Sequence, residues 1–242
     1  MSLQLKPRIE PKTLIYRKKQ PLYYLSKRLF DIAVSASVLL LFAPLILIGA
    51  LLVKLTSPGP AFYKAKRAGL GGKPFYMLKI RSMYVNSDTV DRRITEKNDS
   101  RITPVGAILR KLKIDELPQF WNVLTGDMSI IGPRPEDWDL VEKYYTPEQR
   151  LTLEIVPGLA SITDLNWYPD ITYHHPCPAG VSAQEDYIQR HLPIIIDEAF
   201  NYMEQQSFLF DLKLMVQIAL AILMYSWAPP KRQRVSLSDT AS

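Results

Sequence analysis

IAVSASVLLLFAPLILIGALLV, residues 32–53, runs for 22 positions without a charge. At the helical rise this stretch is long enough to cross a hydrocarbon core about 30 Å thick. Its flanks carry more information than the run itself. Residues 1–31 hold eight Lys or Arg, and residues 54–87 hold seven with no Asp or Glu. Short flanks rich in Lys and Arg stay cytosolic, so an equal bias on both sides is frustrated for a simple span. Pro44 falls near the middle, where it removes one backbone hydrogen bond and clashes with the preceding turn. A kink or break is expected there, leaving arms 32–43 and 44–53 of roughly 15–18 Å each, about half the membrane thickness. The pattern predicts a re-entrant helix broken at Pro44; the alternative is a kinked ordinary span, since membrane helices tolerate proline. A cleaved signal peptide fits poorly with so late and so long a run.

Outward from this element, 242 residues suffice for one domain with a real core. Hydrophobic residues make up 47% and charged residues 22%, and mean hydropathy is near zero. This composition excludes a multi-span transporter and places the membrane content in one element. A net charge of +6 favours anionic partners such as lipid headgroups, nucleotide phosphates or nucleic acid. The single cysteine, Cys177, excludes an intramolecular disulfide.

After Ser57-Pro58-Gly59-Pro60, the runs 61–66 and 74–83 read as two strands joined by Gly69-Leu70-Gly71-Gly72. The glycine-rich joint lacks the terminal Lys-Ser/Thr of a P-loop and reads as a turn. A period of two puts Lys79 and Arg81 on one face of the second strand with Phe75 and Met77. Arg67, at the end of the first run, is a further candidate phosphate ligand. Residues 84–102 read as an exposed polar loop, and 105–111 as a short helix ending in Arg110 and Lys111.

In Asp115-Glu116-Leu117-Pro118-Gln119, Pro118 is tolerable only in a first turn, which predicts a helix N-terminus at Asp115; Gly126 is placed to end that helix. A helix start offers free N–H groups and a positive dipole end to anions. Taken alone, an Asp-Glu pair there is ordinary capping. Its setting is not ordinary: Arg67, Lys79, Arg81 and Arg110 precede it, and Gly132-Pro133-Arg134-Pro135 follows. The two prolines restrict the backbone around Arg134, so less freedom is lost when its guanidinium engages a phosphate.

Lys27-Arg28-Leu29-Phe30-Asp31, the apolar run, Ser57-Pro58-Gly59-Pro60, Lys79-Ile80-Arg81-Ser82-Met83, Asp115-Glu116-Leu117-Pro118-Gln119, Trp121-Asn122-Val123-Leu124, Gly126, Met128-Ser129 and Gly132-Pro133-Arg134-Pro135 form an ordered set. In order and spacing it resembles the bacterial sugar transferases, the small monotopic phosphoglycosyl transferases. The likeness covers roughly residues 25–160 and extends loosely to Ser207-Phe208-Leu209-Phe210-Asp211-Leu212-Lys213. It implies a mainly helical α+β membrane protein with a re-entrant helix, a small β-hairpin and interfacial helices. It also implies transfer of a phosphosugar from a nucleotide diphosphate sugar, usually a UDP-sugar, to polyprenol phosphate, initiating a surface glycan at the bacterial inner membrane with a cytosolic catalytic face. Asp115 would be the nucleophile that forms a phosphosugar-enzyme intermediate and releases UMP. Glu116 would hold Mg²⁺ or handle a proton, with Asp115 as the other candidate metal ligand, and Arg110 and Arg134 would bind phosphates. Membrane lipid is the further partner, nucleic acid is not one, and homo-oligomerisation is left open.

The resulting division is a basic tail over 1–24, one domain over 25–228 and a polar tail over 229–242. Within the domain the membrane element covers about 29–55, the catalytic part 56–160, and a divergent part with an interfacial helix 161–228. Ala43 stands where the family has Ser before its proline, Lys64 where Gln is usual, and Pro157-Gly158-Leu159-Ala160-Ser161 lacks the usual second glycine. Thr146-Pro147-Glu148-Gln149 predicts a capped helix toward Ile155, and 214–227 predicts a helix lying in the interface or buried in the core. His174, His175 and Cys177 lack a second ligand cluster and do not read as a zinc site. Two rivals remain. Asp137-Trp138-Asp139 has the form of a glycosyltransferase metal motif, whose reaction would release UDP, although acidic residues opening a helix account for it. A non-catalytic basic membrane module would account for the charge and the anchor, but not for the carboxylates.

Overall fold

The computed structural model describes residues 20–85, 99–167, 177–178 and 180–227. Positions 1–19 and 228–242 of the two tails, most of the 84–102 loop, and His174 and His175 lie outside the described residues.

Helix α1, Pro21–Thr56, is a single helix of 36 residues, about 54 Å long at the helical rise. It begins eight residues before the expected membrane element, with Pro21 in the first turn, where a missing N–H is no loss. Pro44 does not break it. The proline forfeits one hydrogen bond, and the apolar residues on either side keep the remainder of the helical ladder. Burial divides the helix into three zones. Tyr23, Lys27, Asp31 and Ser35 form a buried stripe at four-residue spacing, Gly49, Ala50 and Val53 form another, and residues 36–48 contain no buried side chain. Leu40 and Leu41 in the middle zone are 82% and 71% exposed.

The N-terminal stripe is fastened by polar bonds. The Lys27 ammonium donates to the Ile131 carbonyl at 2.8 Å and lies 2.5 Å from Asp211 Oδ2. The same aspartate accepts from the Tyr23 hydroxyl at 2.8 Å and the Tyr202 hydroxyl at 2.9 Å. Asp31 accepts from Ser129 Oγ at 2.7 Å and the Ile130 N–H at 3.1 Å. Arg28 caps a neighbouring helix, donating to the last-turn carbonyls of Val123 and Leu124. The C-terminal stripe packs by contact: Val53 joins Ile80 and Leu109 in a small apolar cluster.

Strands β1, Phe62–Ala68, and β2, Pro74–Ile80, pair antiparallel, with Tyr63 opposite Lys79 and Arg67 opposite Phe75. Arg81 lies one residue beyond β2, so it does not project with Lys79. Its guanidinium is buried against the end of α1, donating to the Ser57 carbonyl and hydroxyl at 2.8 Å each and to the Pro58 carbonyl. The Ser-Pro-Gly-Pro turn is shaped around it. Gly59 has φ +108°, and a Cβ there would come within 2.5 Å of the guanidinium.

Helices α2, Pro104–Lys111, and α3, Gln119–Thr125, follow, with Gly126 at φ +97° ending α3 as the sequence predicts. Strands β3, Ser129–Ile131, and β4, Gly158–Ala160, form a short parallel pair that the sequence did not announce. Between them lies α4, Trp138–Tyr144. Thr146 and Gln149 do form the reciprocal cap, at 2.9 and 3.3 Å, but it opens a 3₁₀ segment, Gln149–Glu154, rather than an α-helix. Helices α5, Ile162–Asn166, α6, Ala183–Asp186, α7, Leu192–Gln205, and α8, Phe208–Trp227, complete the described chain. The main core joins Phe75 and Met77 of the hairpin, Val123, Ile130 and Ile131, Tyr202 and Met203 of α7, and Leu214 and Ile218 of α8. Of the two expectations for 214–227, core burial is met in part, because α8 buries Leu214 and Ile218 while Leu220 and Leu223 stay exposed.

Removing one member of a buried ion pair strands the other charge. Lys27→Met or Asp211→Leu alone is expected to lower unfolding free energy by about 3 kcal/mol, and the double variant to recover most of it. Denaturant titration of the purified chain in detergent micelles measures this; equal losses in single and double variants would contradict it.

Candidate active site

The segment from α2 to α3 sets the carboxylate pair. Thr103 caps α2, accepting from the Gly106 N–H at 2.9 Å, and Leu109 packs the helix onto α1. Lys113 then adopts a left-handed backbone, φ +57°, and the chain makes one 3₁₀ turn, Ile114–Glu116. The α-helix proper begins at Gln119, not at Asp115. Pro118 supplies the reason. With no N–H on residue 118, the Ile114 carbonyl takes the Leu117 N–H instead, at 3.2 Å, which tightens the turn to 3₁₀.

On that turn Asp115 is buried, 5% exposed, and its Oδ1 has no hydrogen-bond partner among the described residues. Glu116 is half-buried between two ammonium groups, Lys79 at 2.9 Å from Oε1 and Lys113 at 4.0 Å from Oε2. Burial, then repulsion from Glu116, pushes the Asp115 carboxyl above its usual range, against the pull of Lys79, Arg110 and Lys113. Burial also pushes Glu116 up, but Lys79, Lys113 and Arg134 outweigh it and hold that carboxyl well below the usual range. Adjacent carboxylates are thereby driven apart in acidity, the condition under which two like groups take different roles.

Lys79 reaches the pair because Asn122 sets the strand. Asn122 Oδ1 accepts from the Leu78 N–H and its Nδ2 donates to the Tyr76 carbonyl, both at 2.9 Å, so one side chain continues the β ladder on the free edge of β2. Arg110 acts on Asp115 through its charge. Arg134, in the turn after β3, bonds Asp164 Oδ1 at 2.9 Å and contributes charge at Glu116. That turn sits where β3 and β4 nearly touch: a Cβ on Gly132 would meet the Val156 carbonyl at 2.7 Å.

The structure thus brings Asp115, Glu116, Lys79, Arg110 and Arg134 together and leaves two expected cations elsewhere. Arg81 holds the end of α1. Arg67 lies 3.8 Å from buried Glu136, which also accepts from the Tyr187 hydroxyl at 2.6 Å. Arg67 pairs with Phe75, four residues from Lys79 along β2, a separation of about 13 Å at the strand rise. Sequence reasoning missed Lys113, Asn122 and Asp164. The first was legible only as a lysine two residues before the pair, and the second only as part of an unexplained Trp-Asn-Val-Leu motif. Asp137 is the N-cap of α4, accepting from the N–H groups of Asp139 and Leu140, as the structural reading of the Asp-x-Asp motif expects.

Among the described residues no cluster of three or more His, Cys, Asp or Glu is placed to hold a metal ion. Asp115 and Glu116 still suit a divalent cation that takes one or two carboxylates and completes its shell with phosphate and water, as Mg²⁺ does. The partnerless Asp115 Oδ1 is the observation that fits.

A family model described as bacterial sugar transferase matches residues 22–225. The chain belongs to the bacterial sugar transferase family. The UDP-glucose:undecaprenyl-phosphate glucose-1-phosphate transferase of Caulobacter vibrioides is 45% identical over 144 residues, 58% of this chain and 54% of that protein. The protein of the same name from Escherichia coli is 36% identical over 193 residues, 78% of this chain and 38% of that one. Exopolysaccharide production protein ExoY of Rhizobium meliloti is 38% identical over 169 residues, 64% and 74% of the respective chains. The chain spans about half the length of the first of these relatives. By length and composition α1 is long and apolar enough to cross a membrane.

The split acidities have opposite consequences for stability. Asp115, raised, is a burden above its folded pKa that disappears as pH falls toward its usual 3.8. Asp115→Asn should therefore unfold at a higher temperature than wild type near pH 7.5, with the gap closing on acidification. Glu116, lowered, contributes stability above its usual 4.5 that is lost as pH falls through the depressed value, so Glu116→Gln should unfold at a lower temperature near pH 7.5. Thermal scans of both variants from pH 7.5 to 4 test the two signs, and shifts of the same sign would refute the assignment.

Proposed function

We propose that the chain is a phosphoglycosyl transferase that moves a sugar phosphate from a UDP-sugar to a polyprenol phosphate, undecaprenyl phosphate being the lipid in its relatives' names. The observation that carries this reading is the buried, partnerless Asp115 oxygen set beside an ionised Glu116 within a frame of Lys79, Lys113, Arg110 and Arg134. An anion attacking a diphosphate meets charge repulsion, and such a frame offsets it.

In the first step an Asp115 carboxylate oxygen bonds to the β-phosphorus as the bond from that phosphorus to the bridging oxygen breaks. The bridging oxygen leaves on the α-phosphate, as UMP. In the second step an oxygen of the lipid phosphate bonds to the same phosphorus and the Asp115–phosphorus bond breaks, which frees the aspartate and yields the lipid diphosphosugar. Lys79 holds Glu116 ionised, and Arg134, braced by Asp164, faces the substrate phosphates. Mg²⁺ bound by Asp115 and Glu116 would supply charge neutralisation at the diphosphate.

The packing of α1 supports a re-entrant path, and the Lys and Arg on both its flanks favour a cytosolic site. Its two buried stripes rest against one globular body through Ile131 and Ile80, whereas a spanning helix would put its ends on opposite sides of a core about 30 Å thick. The exposed apolar face of α8 suits the lipid interface.

Purified protein given a UDP-sugar, Mg²⁺ and undecaprenyl phosphate should release UMP and form lipid diphosphosugar. Asp115→Asn should reduce both by at least about a thousandfold. Release of UDP would refute the reaction, and full activity in Asp115→Asn would refute the nucleophile.

A further inference from the structure

Lys113 is the one non-glycine residue with positive φ among the described residues. It follows the end of α2, in the left-handed position that helices usually give to glycine and where a Cβ is disfavoured. Nothing in capping requires a lysine there. What the conformation achieves is to turn the chain so that the ammonium arrives 4.0 Å from Glu116 Oε2, on the opposite carboxylate oxygen from Lys79.

The two lysines differ in setting. The Lys79 side chain is 27% exposed and rises from β2, whereas that of Lys113 is 44% exposed and adjoins apolar surface. Ile108 and Leu112, just before it, are 61% and 58% exposed. Their helix is packed through Leu109 onto Val53 of α1, whose Leu51, Leu52 and Leu55 are likewise exposed. Lys113 therefore stands between the exposed apolar side chains of a helix packed on α1 and the carboxylate pair. A water-soluble nucleotide sugar gains nothing from an apolar approach. An amphiphile with a phosphate headgroup gains burial of its chain on one side and a cation on the other.

We propose that Lys113 binds the phosphate headgroup of the lipid acceptor and positions it for the second transfer, an inference that rests on the phosphoglycosyl transferase reading. The nucleotide diphosphate is the other phosphate that reaches this pair, and steady-state kinetics separate the two. In a two-step exchange the acceptor's kcat/KM reports only the second half-reaction and the donor's only the first.

The test uses the full chain in detergent micelles, with UDP-glucose and UDP-N-acetylgalactosamine as donors and undecaprenyl phosphate as acceptor. Glycine accepts the backbone at position 113, so Lys113→Gly is expected to fold with an unfolding temperature no lower than wild type. Its kcat/KM for undecaprenyl phosphate should fall about tenfold further than its kcat/KM for the donor, and Lys113→Arg should restore most of that loss. Equal falls in the two constants would overturn the proposal by making the lysine a support of the carboxylate pair in both steps, and a larger fall for the donor would overturn it by placing the lysine at the nucleotide. No fall in either would leave it a helix terminator only and overturn the proposal as well. If wild type formed no lipid diphosphosugar from either donor, the functional reading itself would fall, which is a different result from a wild type that is active and a Lys113→Gly variant that shows no selective loss.

Discussion

The buried contact between Lys27 and Asp211 is the constraint on which the remaining architecture depends. A helix as apolar as α1 has no strong hydrophobic reason to choose protein over lipid, since hydrocarbon chains solvate leucine as well as a protein core does. Directional polar bonds make the choice instead. Lys27 and Asp31 reach β3, Lys27 and Tyr23 meet α8 at Asp211, and Tyr202 brings in α7. With its first turns fixed, the helix presents Gly49 and Val53 to Ile80 and Leu109, under the segment that carries the carboxylates.

From there the site is built by two close fits. Pro118 denies the Ile114 carbonyl its ordinary helical partner, and the resulting 3₁₀ turn places Asp115 inward and Glu116 outward. Asn122 then locks β2 to α3, fixing the height at which Lys79 meets Glu116. Neighbouring carboxylates so placed behave differently: one faces burial without a partner, and the other is held ionised by cations on two sides. An uncompensated buried oxygen at Asp115 is a local conflict of the kind that the proposed nucleophile role would account for.

Much of this was legible in the sequence. The apolar run, the hairpin, the Gly126 helix end and the Asp115-Glu116 pair all follow from short-range rules of spacing, turn chemistry and capping. The misreadings share one cause. Arg81 looked like a partner of Lys79 because strand alternation was carried one residue past the end of β2, and only the neighbouring Ser57 and Pro58 carbonyls reveal its use. Of the kink or break expected at Pro44, the break is absent, because a local rule counts one lost hydrogen bond without the many that persist. Asp164, in the divergent stretch, has no local signature, because its partner Arg134 stands thirty residues earlier.

The sequence by itself determined most of the elements, the membrane-suited helix and the candidate carboxylate pair, because each depends on residues within a few positions of one another, whereas the β3–β4 pair joins segments far apart in the chain. Tertiary structure alone decided which cations serve that pair. Lys79, Lys113 and Arg134 converge on Glu116 from a strand, a left-handed turn and a distant loop, while Arg81, as near to it in sequence as Lys79, holds the end of α1 and Arg67 neutralises Glu136. Charge acts over a few ångströms of space, and separation along the chain does not measure that distance until the backbone has folded.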